Sequence, residues 1–142
     1  EGEILDYSAN GRRARFSLDI SGAYPEDARV NSWNRTITLH RTRNVEIREE
    51  YTLSEYIEPT NLHFLTPIDP EKTGPGLITL VNGETGQQFS LNYDEQRFDY
   101  EIETVAIDDS RMSGSWGDRV YRITLVSRNK GLTDSFTIRI GD

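Results

Sequence analysis

Apolar and polar residues alternate at every second position along most of this chain. In the segment from Ala14 to Ile20, for example, the apolar residues alternate with Arg15, Ser17 and Asp19. A period of two is that of a β-strand with one buried and one solvated face, and no long stretch keeps its apolar residues at helical spacing. The pattern therefore predicts an all-β protein, built as a two-layer antiparallel β-sandwich.

Nine segments carry this pattern, each bounded by Gly, Pro, Asn or Asp, which favour turns. They are Ala14–Ile20, Trp33–His40, Val45–Leu53, Asn61–Thr66, Leu77–Val81, Gln87–Tyr93, Phe98–Ile107, Arg119–Ser127 and Ser135–Ile140. The second and third should pair through a short hairpin at Thr42–Asn44. In Phe98–Ile107 the apolar phase shifts after Ile102, which predicts a β-bulge or a bend near Glu103 and Thr104. We expect a helical turn at Pro25–Ala28 and an irregular loop at Pro67–Gly76.

The length of 142 residues fits one domain, and we expect residues 1–142 to form a single sandwich that is the C-terminal part of a longer chain. The 24 acidic and 16 basic residues give a net charge of -8, which disfavours nucleic acid and membranes as partners. The absence of cysteine excludes a disulfide framework, a thiolate metal site and a cysteine nucleophile.

Few residues invite a catalytic interpretation. The two histidines, His40 and His63, alternate with apolar neighbours and are predicted to lie on solvent faces, although a zinc site remains an alternative if their strands are neighbours. The segment Gly114–Gly117 is interpreted as a turn rather than a serine nucleophile elbow. Glu49 and Glu50 are interpreted as solvated strand residues rather than a catalytic pair. We therefore predict no catalytic residue, metal or cofactor in this chain.

Four aromatic residues could stack on sugar rings if they formed an exposed platform. They are Tyr24, Trp33, Trp116 and Tyr121. The favoured interpretation places Trp33 and Tyr121 in the core and packs Trp116 under its own turn.

Three segments together resemble the C-terminal part of the heparinase II/III-like polysaccharide lyases. They are Gly22–Pro25 running into Ser32–Thr36, then Leu62–Pro67, and then Ser115–Ile123. Their order and their strand-and-turn context are similar to those of the β-rich module that follows the helical toroid in such enzymes. The resemblance spans most of the chain and implies a C-terminal β-sandwich.

The resemblance implies a parent enzyme that cleaves uronic-acid polysaccharides by β-elimination, in which a base removes the C5 proton and an acid protonates the 4-O leaving group. Because the toroid and the central sheet carry the Tyr and His residues for this work, no catalytic residue is carried over here. The implied role is that of a noncatalytic accessory domain of a secreted or periplasmic lyase. Its expected partners are the catalytic helical-toroid domain of the same chain and the polysaccharide. The residues expected to contact that domain or the glycan are Arg12, Arg13, Arg35, Trp116, Asp118 and Arg119.

Two other functions remain open. The first is a free-standing carbohydrate-binding module, which the tryptophans and tyrosines favour. The second is an independent metal-assisted hydrolase or lyase built on His40 and His63.

Overall fold

Eleven β-strands form two antiparallel sheets in the computed structural model, which describes residues 1–141. The strands are β1 Glu3–Ala9, β2 Arg13–Asp19, β3 Val30–His40, β4 Asn44–Leu53, β5 Asn61–Thr66, β6 Pro70–Gly74, β7 Leu77–Val81, β8 Gln88–Asn92, β9 Phe98–Ala106, β10 Arg119–Ser127 and β11 Thr133–Gly141. One short helix, α1 Ser110–Trp116, joins β9 to β10, and single 3₁₀ turns span Ser21–Ala23 and Glu26–Ala28. The predicted all-β class and sandwich-like architecture are confirmed.

The two sheets differ in size, and this difference decides where the core lies. The large sheet has eight strands in the order β1-β2-β3-β4-β11-β8-β7-β6, and the small sheet has three in the order β5-β10-β9. Buried apolar side chains from both sheets meet between them, at Leu62, Ile78, Leu125 and Ile138 among others. Three strands cannot cover eight, so one end of the large sheet has no second layer opposite it. In β1, the strand at that end, every residue is exposed.

Two strands were missed by the sequence pattern, for local reasons. In β1 the pairing with β2 shifts register between Ile4 and Asp6, so the apolar residues do not alternate cleanly. The segment Pro67–Gly76, expected to be irregular, contains the edge strand β6, which begins at Pro70. Proline is tolerated at that position because an edge strand does not need every N–H for its ladder.

Of the two alternatives predicted near Glu103 and Thr104, a β-bulge or a bend, the β-bulge is wrong. β9 pairs with β10 without a register shift over the whole of Phe98–Ala106. The change of apolar phase therefore reflects side chains on opposite faces of one regular edge strand: Ile102 and Val105 are both half-buried, one on each face.

The segment Gly114–Gly117 was predicted to be a turn, and the structure places its first three residues in α1. The helix begins because the Asp109 carboxylate accepts hydrogen bonds from the backbone N–H groups of Arg111 at 2.8 Å and Met112 at 3.1 Å. Trp116 is the last residue of the helix, and 49% of its surface is exposed. The expectation that Trp116 packs under its own turn is therefore wrong.

Two predicted connections are confirmed. The β3–β4 hairpin turns at residues 41–43, where Thr42 has a φ of 65°. The predicted helical turn near Pro25 forms at Glu26–Ala28. A further tight turn requires Gly76, which has a φ of +60° and where a Cβ would lie 2.1 Å from the Tyr93 carbonyl oxygen.

Candidate interdomain and ligand-contact surfaces

An apolar surface on strands β1 to β4 lies beyond the edge of the small sheet. One row of cross-strand partners runs Tyr7, Phe16, Ile37 and Ile47, and the next ends in Leu39 and Val45. We call these six residues the open face. On β3 and β4, the open-face residues are an even number of positions away from the core residues Trp33 and Tyr51. The open face therefore lies on the same side of the large sheet as the core. Tyr7 is nevertheless 66% exposed and Leu39 is 40% exposed.

A fully buried carboxylate, Glu49, lies on the same side of the sheet between the open face and the core. It accepts hydrogen bonds from Trp33 Nε1 and from Arg35 Nε, each at 2.6 Å. Burial raises the pKa of the Glu49 carboxyl, and the hydrogen bonds from Trp33 and Arg35 oppose that rise. The expectation that Glu49 is solvated is therefore wrong, whereas Glu50 on the opposite face is exposed as expected.

Arg35 was expected to contact a neighbouring domain or a glycan. Its Nε forms the ion pair with Glu49, which leaves one third of the side chain exposed, at 33%. Its main visible role is therefore to neutralise a buried charge on the next strand.

An aromatic stack closes the end of the sandwich next to Glu49. Tyr24 stacks on Trp33 with ring centroids 5.2 Å apart, and Trp33 contacts Tyr51 at 4.8 Å. The stack borders an open cavity of about 580 Å³, which His63 and Ile57 also line. Trp33 is buried, as predicted, so Tyr24 is the member of the stack that offers its outer surface, with 38% exposed.

The tips of two neighbouring hairpins carry a group of basic residues. We call Arg12, Arg13, His40, Arg41 and Arg43 the tip cluster; they line a cavity of about 650 Å³ together with Asn10, Gly11 and Thr42. The structure thus brings the predicted residues Arg12 and Arg13 together with Arg41 and Arg43, which were not among the predicted contact residues. The sequence does contain a second arginine-rich turn at positions 41–43. Its position beside the first turn, however, follows only from the pairing of β2 with β3.

The remaining predicted contact residues lie elsewhere. Trp116, Asp118 and Arg119 lie between α1 and the start of β10, in the part of the chain that forms the small sheet. Arg119 Nε lies 3.0 Å from Asp118 Oδ1, so this ion pair joins sequence neighbours. The six predicted residues are therefore divided between the parts of the chain that form the two sheets.

The two histidines lie on different sheets. His40 is on β3, with its Nε2 3.6 Å from Glu46 Oε2, and His63 is on β5, with its Nδ1 3.0 Å from Thr124 Oγ1. Their strands are not neighbours, so the geometry that a shared zinc site required is not present. Within residues 1–141, no three potential metal ligands of the His and carboxylate type lie together.

Fold and surfaces together define a class: an antiparallel sandwich with unequal sheets, an uncovered apolar face and a basic hairpin end. The described part of the chain contains no helix with the length and hydropathy to cross a membrane. No protein-family model matches the sequence, and no curated protein matches it significantly.

Solved polysaccharide lyases contain the same fold. The heparan sulfate lyase HepC from Pedobacter heparinus matches with a TM-score of 0.64 and 9% identity, over 99% of this chain and 21% of that chain. A heparinase III with methylated lysines matches with a TM-score of 0.68 and 12% identity, over 99% and 20% of the two chains. A further heparinase III structure gives 0.66 and 14%, over 98% and 21%. This chain thus spans about a fifth of the length of these lyases, and the resemblance seen in the sequence is confirmed at the level of the fold.

Proposed function

We propose that this chain is a noncatalytic, C-terminal accessory domain of a heparinase II/III-like polysaccharide lyase. In this proposal the parent enzyme is secreted or periplasmic and cleaves uronic-acid polysaccharides by β-elimination. A helical-toroid domain of the same parent chain supplies the catalytic groups, and the sandwich docks against that remainder. The fold likeness to about a fifth of heparinase chains supports this division.

The open face is the observation that carries the proposal. It is a contiguous apolar surface on the core side of the sheet, and it includes Tyr7 and Leu39 with large exposed fractions. Contiguous exposed apolar surface on a domain is typical of an interaction site, because leaving it in water forfeits the hydrophobic free energy that its burial would supply. A neighbouring domain of the parent chain is the proposed cover.

Substitutions on the open face test the docking role. In the parent enzyme, Tyr7→Ser combined with Leu39→Ser should lower the melting temperature, while the same pair should leave this chain alone nearly unchanged. Leu65→Ser is the matched control, because Leu65 is 65% exposed and lies on β5 of the small sheet. A parent enzyme that tolerates the open-face pair as well as the control would contradict the docking role.

The noncatalytic role is tested separately. β-Elimination leaves an unsaturated uronate that absorbs ultraviolet light, so turnover can be followed directly. The chain alone is expected to give no product from heparan sulfate, alginate or other uronic-acid polysaccharides, while the parent enzyme gives product. Turnover by the purified chain would refute this part of the proposal.

A free-standing carbohydrate-binding module is the second candidate, and the Tyr24–Trp33 stack favours it. Tyr24 presents an aromatic surface beside an open cavity, which is a geometry that sugar rings use for stacking. Titration with neutral and acidic oligosaccharides would change Trp33 fluorescence if the cavity binds sugar, and Tyr24→Ala should then abolish the change. An unchanged signal with every oligosaccharide would eliminate this candidate.

A further inference from the structure

The geometry points to an anion site at the tip cluster, and we propose that it binds sulfate or carboxylate groups of an acidic oligosaccharide. The identity of the ligand as a glycan rests on the proposed function. The preference for anionic groups rests only on the side chains at the two hairpin tips. The residues that line this site are different from those of the open face and from those that line the cavity beside Tyr24.

The two hairpin tips form one hydrogen-bonded frame. Asn10 Oδ1 accepts from the backbone N–H groups of Arg12 at 2.8 Å and Arg13 at 2.9 Å, which fixes the first tip. The Arg41 N–H donates to the Arg12 carbonyl at 3.0 Å, and Arg41 Nε donates to the Asn10 carbonyl at 3.3 Å, which joins the second tip to the first. The side chains of the cluster therefore start from fixed backbone positions, which lowers the entropy cost of binding.

The second tip also holds an unusual backbone conformation. Thr42, between Arg41 and Arg43, has a φ of 65°, a left-handed conformation that is costly for a β-branched residue. Such conformations concentrate at binding and active sites, where the neighbouring structure maintains them. Here the conformation turns the chain tightly, so that two arginines flank the turn.

In the part of the chain that the structure describes, the tip arginines have no acidic partners, unlike most arginines. Nine arginines form ion pairs: Arg15, Arg29, Arg35, Arg48, Arg97, Arg119, Arg122, Arg128 and Arg139. The tip residues Arg12, Arg13, Arg41 and Arg43 form none with any acid in residues 1–141. Glu46, whose Oε2 lies 3.6 Å from Nε2 of the cluster residue His40, is bound through Oε1 by Arg139 at 3.0 Å.

Four guanidinium groups without an ion pair to any described residue create a local positive field on this acidic chain, and an anion relieves that field. Guanidinium matches sulfate and carboxylate with paired hydrogen bonds, and the cavity of about 650 Å³ has the size of a small-ligand site. The overall charge of -8 opposes a long polyanion lying across the whole surface. A few charged groups held at the hairpin tips, as in a short acidic glycan segment, fit both observations.

The experiment compares two double substitutions with the same change in charge. Arg12→Gln with Arg43→Gln removes half of the tip arginines that lack an ion pair within residues 1–141, and it keeps the Arg41 side chain whose Nε donates to the Asn10 carbonyl. Arg111→Gln with Lys130→Gln removes two cations that also lack an ion pair in the described part of the chain but lie outside the cluster. Circular dichroism establishes that both variants fold. Calorimetric titrations then use a heparan sulfate hexasaccharide, a neutral cello-oligosaccharide and inorganic sulfate.

We expect the sulfated hexasaccharide to bind and the neutral sugar not to bind. The tip variant should lose at least about tenfold in affinity, since one charge-assisted hydrogen bond contributes about 1.4 kcal/mol or more. The Arg111 and Lys130 variant should lose less than about twofold. Much weaker binding of inorganic sulfate would show that the site holds a glycan segment rather than a free oxoanion.

Three results would overturn the proposal. The first is no binding of the sulfated hexasaccharide, and the second is an equal loss in both variants. The third is a tip variant that binds normally as a separate chain but lowers the melting temperature of the parent enzyme, which would assign the cluster to an acidic surface of the neighbouring domain. None of these results bears on turnover by the chain or on the open-face substitutions, so the accessory role is judged independently.

Discussion

Replacing the buried carboxylate of Glu49 should destabilise this chain more than any neighbouring surface change. Glu49→Ala removes the acceptor of both Trp33 Nε1 and Arg35 Nε, which lie 2.6 Å from its two oxygens. It leaves a buried indole N–H without a partner and a half-buried guanidinium without its counter-charge. Breaking a buried ion pair by removing one partner costs about 3–5 kcal/mol, a large share of the roughly 5–15 kcal/mol that stabilises a typical domain.

Urea unfolding followed by circular dichroism measures this loss. Glu50→Ala is the matched control, because Glu50 is the next residue, is exposed and forms only a surface pair with Arg48 at 3.1 Å. We expect the control to change the free energy of unfolding by less than about 1 kcal/mol. A Glu49→Ala variant within that same range would contradict the prediction, because it would show that the two donors find other partners at no cost.

The pH dependence gives a second test of the same residue. Burial raises the pKa of Glu49 above its ordinary value of 4.5, so the folded chain binds this proton more tightly than the unfolded chain. The resulting stability is fully present below pH 4.5 and is lost as the pH rises through the folded pKa. The advantage of the wild type over Glu49→Gln should therefore shrink between acidic and neutral pH. An advantage that grows over this range would reverse the assigned direction.

Three further predictions concern backbone, core and surface. Gly76→Ala should cost about 1–3 kcal/mol in backbone strain alone, whereas Gly83→Ala, where a Cβ would meet nothing within 4 Å, should be nearly neutral in urea unfolding. Ile138→Ala should cost about 2–5 kcal/mol in the same assay, because Ile138 is fully buried between the sheets; a cost below about 1 kcal/mol would place it outside the core. Arg139→Gln should raise the pKa of Glu46, which the hydrogen bond from Arg139 holds below 4.5, and an NMR titration in which the Glu46 carboxyl does not move would contradict this. The stability that this Glu46 pair contributes is present above pH 4.5 and is lost as the pH falls.

The regular part of the fold was predictable from alternation alone. Nine strands and the Thr42 hairpin follow from the period of two and from turn residues, because side chains on a strand must face alternate sides. The exceptions are elements whose local sequence hides the period. β1 carries a register shift, β6 begins at a proline, and α1 depends on the Asp109 cap more than on apolar spacing.

The contact surfaces were less predictable because they depend on which strands become neighbours. Arg12 and Arg13 were expected to make contacts, but Arg41 and Arg43 join them only through the pairing of two hairpins. Glu49 looked solvated because glutamate seldom lies in a core without a partner. That partner comes from the adjacent strand, through the direct pairing of Arg35 with Glu49.

Residue type and short-range spacing suffice to predict the all-β class, the positions of most strands and the acidic net charge. The tertiary structure decided that eight strands lie opposite three, that an apolar face therefore extends beyond the core, and that two arginine-rich turns meet. Sheet membership and strand order bring together residues far apart in the chain, and the period of a single strand carries no information about its neighbours.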